Sequence, residues 1–560
     1  MDGVVFTTID STYVGWCGGD ISKVSSKQFF EKDIFELLDG TNKTLFFKDL
    51  RVFGKAIVNT LKQNGYTDTT KDAVKSGYCK KVQDKCFTYI IGAGTNTWFN
   101  ITISNNGGSL KILPFENFVS VKEDIIKKDF CDDDTEEGFV KGMVKAVSMM
   151  REIGCTRDTI SSSATSLWKS GHNRYDFNKA FPEPSKELYD FIKKAHHGGL
   201  CYVNRQGKAG KGIVLDVNSL YPYVMREKYL PSGKGEWFDG KPDDMWNMRS
   251  TATYFVRFKC RFNIKKGMIP FVRVRGDEKY NHNKILTTSD IYDRFTKKWY
   301  KYMVNDNGEK ELIKADITMY KDEFLLFLEH YDVEELEFVG GYKFTGWRGG
   351  FMKYVNQFSQ MKENAKDKAE RRIAKMMMNS LSGNLSKKRD RKSTVLEDNG
   401  SKFVDSTSRS RSYIYAGAAI TSIAMCLIVR AAQANYKHFL YTDTDSLHLD
   451  CDIQDVVGVK IDDKMLGAFK IEHRFSSAYY IRQKVYYIDD IDEGISVKWS
   501  GMRDASRKIL EGIIREVLDG KREAGVVEIP FEIDTLEDYE NYRKIKTVGV
   551  HSIDIRELMC

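Results

Sequence analysis

The chain has 560 residues, 41% hydrophobic and 30% charged, with a formal net charge of +8. That length exceeds what one hydrophobic core supports, so several domains are expected. The composition excludes a disordered or fibrous chain, and the mild positive charge permits a polyanionic partner without requiring one.

The ten cysteines include no CxxC pair and no Cys/His block with zinc spacing; Cys79 and Cys86 stand closest, and no matching ligand pair follows them. A reduced, intracellular protein is expected. The opening MDGVVFTTID lacks the basic start and long apolar core of a signal peptide. The most hydrophobic run, Tyr415 to Val429, contains Thr421 and Ser422 and stops at Arg430. It is too short to span a bilayer and reads as a buried helix, so no membrane partner is expected.

In chain order, residues 1–150 alternate β-rich runs (LFF at 45–47, FTYIIGA at 87–93, FNITIS at 99–104) with a helical one, KAIVNTLKQNG at 55–65. This is the pattern of an α/β domain. An acidic run within 124–137, CDDDTEE, reads as a solvated loop or helix start. The polar SSSATSLWKSGHN (161–173) reads as a linker. GIVLDVNSLYP (212–222) reads as a buried strand running into a turn. YMVNDNGEKELIK (302–314) and TVLEDNGSKFV (394–404) each set Asn-Gly between apolar residues, the signature of a type I′ hairpin. One long charged helix, 359–381, is predicted between them. KKRDRK (387–392) and RSRS (409–412) frame the second hairpin, which is therefore expected to be basic and exposed.

Three stretches carry chemistry. In YTDTDS, Asp443 and Asp445 are one residue apart in an apolar and hydroxylic run. Whether the strand continues or bends into a tight hairpin, the two carboxylates point the same way. Such close like charges are costly unless a cation neutralises them, and hard oxygen ligands suit magnesium. DxD alone is also a common surface triplet. Asp216 in LDVNSLYP ends an apolar strand and is the best third carboxylate, although an Asp before a short helix also serves as an N-cap. In RRIAKMMMNSLSG, Arg371, Lys375 and Asn379 recur at four-residue steps on one helix face, opposite the methionines. That face suits a triphosphate, and it also suits plain solvent.

The order LDVNSLYP, KMMMNSLSG, YTDTDS resembles the A–B–C motifs of family B DNA polymerases. The resemblance extends to the protein-primed branch found in small bacteriophages: IRQKVYY (481–487) is similar to its K-x-Y motif, HHGGL (196–200) to its Y-x-G-G linker motif with His196 for tyrosine, and SLKILPF (109–115) to a stretch of its N-terminal domain. It covers roughly residues 45–510 and is too weak to use in the last fifty. It implies an α+β multidomain right hand: an exonuclease-like domain with an RNase H-like fold at 1–160, a linker at 161–200, palm at 201–267, a first insertion at 268–345, fingers at 346–383, a second insertion at 384–412, palm at 413–500 and thumb at 501–560.

For the site, the resemblance implies that Asp216, Asp443 and Asp445 are catalytic, and that two magnesium ions (manganese as substitute) sit at Asp216, Val217 and Asp445. It implies that Val217, Tyr221, Lys362, Arg371, Lys375 and Asn379 bind the nucleotide, with Tyr221 excluding a 2′-hydroxyl. Ser109, Leu110, His196, Gly198, Gly199, Ser380, Gly383, Lys484 and Tyr486 would face primer, template or the priming protein. The implied partners are primer–template DNA, deoxynucleoside triphosphates and a terminal (priming) protein, with the chain a monomer in the cytoplasm of a bacterial host. The first insertion would contact the priming protein. The second would close a ring around DNA for processive strand displacement.

Two departures stand out. Ser382 in NSLSG replaces the family's tyrosine, which lies against the nascent pair, so reduced base selectivity is expected. The nuclease carboxylates are missing: GVVFTTID holds no D-x-E, DLRVFG puts Asp49 and Phe53 where N-x-x-x-D is expected, and EEGFVKGMVKAV has no acid after Glu137. Asp134 and Glu136 form a D-x-E in an acidic loop, read as a decoy. Proofreading is expected to be lost. The rival readings are a palm polymerase using an RNA template and a non-catalytic DNA-binding replication scaffold.

Overall fold

The computed structural model describes residues 1–560 apart from 9, 72–83, 93–96, 244, 246, 248–249, 282–283, 306, 388–389, 398–399, 408–411, 531–549 and 559–560. It divides into two compact units. One comprises Met1–Ser185, Ser232–Lys234 and Arg348–Gly417; the other Lys186–Pro231, Gly235–Trp347 and Ala418–Cys560.

The first unit is built on a sheet whose strand order begins Ile21–Ser25, Ser11–Trp16, Asp2–Thr7, Asn42–Phe47, Gly108–Pro114, Thr97–Asn105, Cys86–Gly92. The first three are antiparallel, and Asn42–Phe47 lies parallel to Asp2–Thr7 and to Gly108–Pro114. That is the RNase H-like arrangement the resemblance implies. Alternation sends Val5, Leu45 and Phe47 to one face, where Ile57, Val58 and Leu61 of helix Leu50–Gln63 cover them. Helix Glu136–Glu152 packs close against strand Ser11–Trp16: a Cβ on Gly15 would lie 2.8 Å from Val144 Cγ2.

Several expectations need correction here. The supposed linker at 161–173 holds a helix, Ile160–Ser170, whose Trp168 is buried and stacks on Phe351 at 4.6 Å. Helices Arg174–Ala180 and Lys186–Ala195 follow, so 161–200 is largely structured. The long charged helix is two helices, Met352–Glu363 and Lys368–Leu385. The break arises because the Asp367 side chain accepts from the Glu370 amide at 2.8 Å and caps a new N-terminus. Arg371, Lys375 and Asn379 do share the exposed face of the second helix, with Met377 and Met378 buried opposite.

The second hairpin forms, as Asp390–Glu397 against Gly400–Thr407, with Glu397 opposite Gly400. Its connecting residues 398–399, and parts of both basic flanks, lie outside the described residues. It is not a free solvent-facing ribbon. Ser393 and Thr394 pair with Gly92 and Ile91, so the hairpin continues the sheet to ten strands among the described residues. The Leu396 amide donates to Tyr89 Oη at 2.8 Å, Lys71 pairs with Glu397 at 2.9 Å, and Val395 is buried. Lys402 and Phe403 remain exposed.

Among the described residues the second unit holds an eight-stranded antiparallel sheet, in the order Gly494–Trp499, Val485–Asp490, Phe469–Arg482, Gly212–Val217, Ser446–Leu449, Phe439–Asp443, Cys201–Val203, with Gly207–Ala209 paired to Phe469–Arg482. Strand Thr253–Ile264 pairs with Ala315–Tyr320 and Tyr331–Trp347. The first Asn-Gly hairpin forms as Tyr302–Val304 against Lys310–Leu312. Its loop, however, spans 305–309 rather than the two residues of a type I′ turn. The Asn305 side chain accepts from the amides of Asn307 and Glu309, and Gly308 takes the positive φ of 82°. The apolar run at 415–429 lies in helix Ile414–Ala434, the one described helix long and apolar enough to cross a membrane, and most of it is buried in the protein. Helix Asp504–Leu518 packs Leu510 and Ile514 with Tyr487 and Val497 of the sheet.

Candidate active site

Strand Gly212–Val217 sits between Ser446–Leu449 and Phe469–Arg482, with Asp216 opposite Ser446 on one side and Lys470 on the other. Asp443 also pairs with Ser446, across a two-residue turn made of Thr444 and Asp445. Strand pairing thus brings the three aspartates to one end of one sheet. Asp216 is not a helix cap: the chain turns after Val217, and Ser219, at φ 54°, precedes helix Leu220–Glu227.

The turn is tightly specified. Thr444 has φ 63°, a left-handed conformation uncommon for a β-branched residue. The Asp445 amide donates to Asp443 O at 2.8 Å, and Asp445 O accepts from the Val217 amide at 2.9 Å. A backbone bond therefore ties the end of the Asp216 strand to the Asp443–Asp445 turn. Strain of this kind is held by surrounding structure and gathers at functional sites.

The aspartates differ electrostatically. Lys484, itself at φ 59° in the turn after Phe469–Arg482, puts Nζ 2.9 Å from Asp443 Oδ2. Lys470 Nζ lies 3.5 Å from Asp216 Oδ1. Burial first, then the charges of Asp216, Glu472 and Asp443, push the Asp445 carboxyl up to about 6. The cleft they line has a volume of about 580 Å³ and also takes in Glu472, His473, Tyr486, Lys498 and Arg507. Among the described residues no three His, Cys, Asp or Glu side chains are gathered into a ready ligand cage. The donors at this end of the sheet are carboxylate oxygens, which suit a hard divalent cation completed by substrate oxygens.

Tyr486 packs on Tyr441, 5.0 Å between ring centres, and both back the Lys484 turn, whose amide donates to Tyr441 Oη at 3.2 Å. Burial and the Asp445 and Asp443 charges push Tyr221 up to about 12, which places its hydroxyl in the field of the same carboxylates. His196 is held down to about 4 by burial and by Arg275 and Arg273, so its ring is neutral. Gly198 is exposed, and Gly199 packs on Thr444 so closely that a Cβ would lie 2.3 Å from Thr444 Oγ1.

The other predicted residues lie in the first unit. Lys362 lies in the last turn of helix Met352–Glu363; the Ser380 hydroxyl donates to Met376 O at 2.7 Å, and Gly383 is exposed. Ser109 is partly exposed and donates to Asn42 Oδ1 at 2.8 Å. Leu110 is a correction: it is fully buried in the sheet core, because neighbours on a strand face opposite ways, so its side chain meets no ligand. Sequence reasoning missed Lys470, Glu472 and Arg273. The first two flank the Asp216 strand only once Phe469–Arg482 is paired beside it.

Three carboxylates thus stand at the end of an antiparallel sheet, rimmed by lysines and a tyrosine, and are the candidate centre for nucleotidyl transfer. Residues 110–456 match the family model for DNA polymerase type B, organellar and viral, and the chain belongs to this family. The DNA polymerase of Bacillus phage phi29 is 28% identical over 516 residues, covering 83% of this chain and 84% of that one. That of Streptococcus phage Cp-1 is 29% identical over 394 residues, 67% and 65% of the two chains. The fold matches phi29 DNA polymerase solved with primer-template DNA and incoming nucleotide substrates, at a TM-score of 0.75 and 23% identity over 99% and 98% of the chains. The protein is a DNA-directed DNA polymerase, and type B polymerases of this kind work with divalent metal ions.

Proposed function

We propose that the chain extends DNA by two-metal phosphoryl transfer from a centre at Asp216, Asp443 and Asp445, primed by a protein and without proofreading. The convergence of three aspartates from paired strands carries this reading. Asp216 and Asp445, with the backbone of Val217, would hold magnesium, the oxygens of the nucleotide completing each ion's shell. The ions would lower the pKa of the attacking 3′-hydroxyl and offset charge on the leaving pyrophosphate. The chain's own part is position. Tyr221 crowds the sugar, Lys484 and Tyr486 steady the primer end, and the exposed Arg371–Lys375–Asn379 face presents cations and an amide to phosphates.

A terminal protein is the proposed source of the first hydroxyl. What supports this is an exposed apolar strip on the first insertion: Tyr292, Phe295 (98% exposed), Trp299, Tyr300, Tyr302 and Met303. Single exposed apolar residues are ordinary, whereas a run of aromatics is the composition of a protein-binding surface.

Loss of proofreading is supported by what occupies the nuclease positions. Phe53 lies among Phe30 and Phe47, at 5.7 and 6.0 Å between ring centres. Asp49 is half exposed and paired with Lys48, and Glu136 accepts from Tyr13 Oη at 2.6 Å. Aromatic packing and acids already engaged elsewhere make a poor holder for a pair of ions.

The test is extension of a primed DNA template in magnesium, on paired and mispaired ends, beside Asp445→Asn. Extension that the substitution leaves intact would sink the assignment of the site. Mononucleotide release from single-stranded DNA, removed by changes in residues 1–160 alone, would sink the proofreading claim. Transfer of the first nucleotide to protein is tested with a terminal protein added; identical initiation from a bare oligonucleotide would sink that part.

A further inference from the structure

Arg273 lies in an extended segment of the first insertion, partly buried, with its Nε shielded from solvent and meeting no acceptor among the described residues. Burial holds its pKa below the usual arginine value, and the buried Glu323 carboxylate opposes that shift. Glu323 in turn accepts from Ser422 Oγ at 2.7 Å. Taking part of a guanidinium out of water, with one N–H left without an acceptor, is costly. Its placement is therefore informative.

Its fork is spent on backbone. Nη2 donates to Gly198 O at 2.9 Å and Nη1 to Gly199 O at 3.3 Å. The next carbonyl, Leu200 O, accepts from the Thr444 amide at 2.8 Å, and Gly199 lies flat against the Thr444 side chain. Three successive carbonyls of one extended segment thus connect Arg273 to the residue between Asp443 and Asp445. Arginine suits two adjacent acceptors because its donors are fixed in one plane; lysine offers a single point.

We propose that Arg273 is a positioning residue of the polymerase site: by gripping Gly198 and Gly199 it holds Leu200 O against the Thr444 amide and so sets the turn that carries Asp443 and Asp445. This rests on reading that turn as the polymerase centre. In this role Arg273 acts through Gly198 and Gly199 rather than on substrate. Glu323 is its counter-charge, and glycine is required at 199 because a Cβ there would meet the Thr444 side chain and push the turn away.

The experiment uses the full chain with Arg273→Gln, Arg273→Lys and Gly199→Ala, beside Asp445→Asn. Steady-state incorporation on a primed template and amide hydrogen exchange over 440–446 are both read. Arg273→Gln is expected to lower kcat about 10- to 100-fold, the usual effect of losing a support behind a metal-binding carboxylate, with nucleotide KM changed less than about threefold. Exchange at Thr444 should quicken about tenfold or more, with the rest of the sheet unaffected. Arg273→Lys should recover part of both. Gly199→Ala should reproduce the defect, and combining it with Arg273→Gln should add little further loss. A folded Arg273→Gln protein with normal kcat, or with slow Thr444 exchange, overturns the proposal. If that variant fails to fold, Arg273→Lys decides: unchanged kcat and exchange overturn it. Should Asp445→Asn retain activity, the reading of the site fails instead, and the exchange result still judges the Arg273 grip.

Discussion

Lys484 Nζ stands 2.9 Å from one oxygen of Asp443 and 3.2 Å from the other, bridging the carboxylate with a single ammonium. The lysine is half exposed, so the pair itself contributes little to stability, on the order of 0–1 kcal/mol. Lys484→Ala should leave the melting temperature nearly unchanged. If Lys484 also grips a primer phosphate, the substitution weakens primer–template binding and lowers the salt slope of log K by about 1. An unaltered slope would confine the lysine to its carboxylate.

Asp445 sits where burial and three neighbouring carboxylates oppose its charge. Asp445→Asn removes that repulsion while keeping shape. Extension should fall at least about a hundredfold, as expected for loss of a metal ligand. Calorimetry should show the variant melting no lower than the parent. A large drop in melting temperature would mean that the carboxylate serves folding rather than catalysis.

Glu323 gives the clearest pH effect. Burial lifts its carboxyl to about 6 from an ordinary 4.5. The folded state then binds the proton more tightly than the unfolded one. Stability should therefore fall as pH rises through that window, by about 2 kcal/mol in all, and stay level above it. Denaturant titrations from pH 4 to 8 test the slope, and Glu323→Gln should remove this contribution.

Ser382 donates to Asn379 O at 3.0 Å and offers no ring to a base pair. Ser382→Tyr is expected to lower misincorporation several-fold with paired-end extension retained. Single-turnover incorporation of right and wrong nucleotides measures this. Equal error rates in both proteins would remove residue 382 from selectivity.

Trp168 lies in the helix that had read as a linker, with Phe177, Phe181 and Phe351 all within 5 Å between ring centres. Trp168→Ala should cost about 3–5 kcal/mol, read by denaturant unfolding. A true linker would tolerate the change.

Those last two residues show where a sequence can and cannot be read. The sheet that carries Asp216, Asp443 and Asp445 was legible because these residues sit in short motifs on strands marked by unbroken apolar runs. The buried helix Ile414–Ala434 was legible for the same reason. Helix Ile160–Ser170 was not, because it buries Ser163, Ala164 and Thr165 beside Trp168; small polar residues pack tightly without leaving an apolar stripe. The split at 364–367 turned on one Asp side chain choosing a backbone amide. Leu110 was misplaced because a motif names neighbours together, whereas a strand turns them to opposite faces. Arg273 gave a faint signal, a charge at every second place in FVRVRG, but its partners lie about 75 residues away and appear only in three dimensions.

The docking of hairpin Asp390–Thr407 onto Ile91 and Gly92 has a consequence for solubility. A sheet's last strand offers unused amides and carbonyls to any passing chain, and natural proteins shield such borders. Here a hairpin about 300 residues further along the chain shields that border. Excising 390–407 would bare the strand at Cys86–Gly92, with Ile90 already exposed beside it. The shortened protein should therefore self-associate through that border, and its behaviour on DNA would then be that of an aggregate rather than of a polymerase lacking one loop.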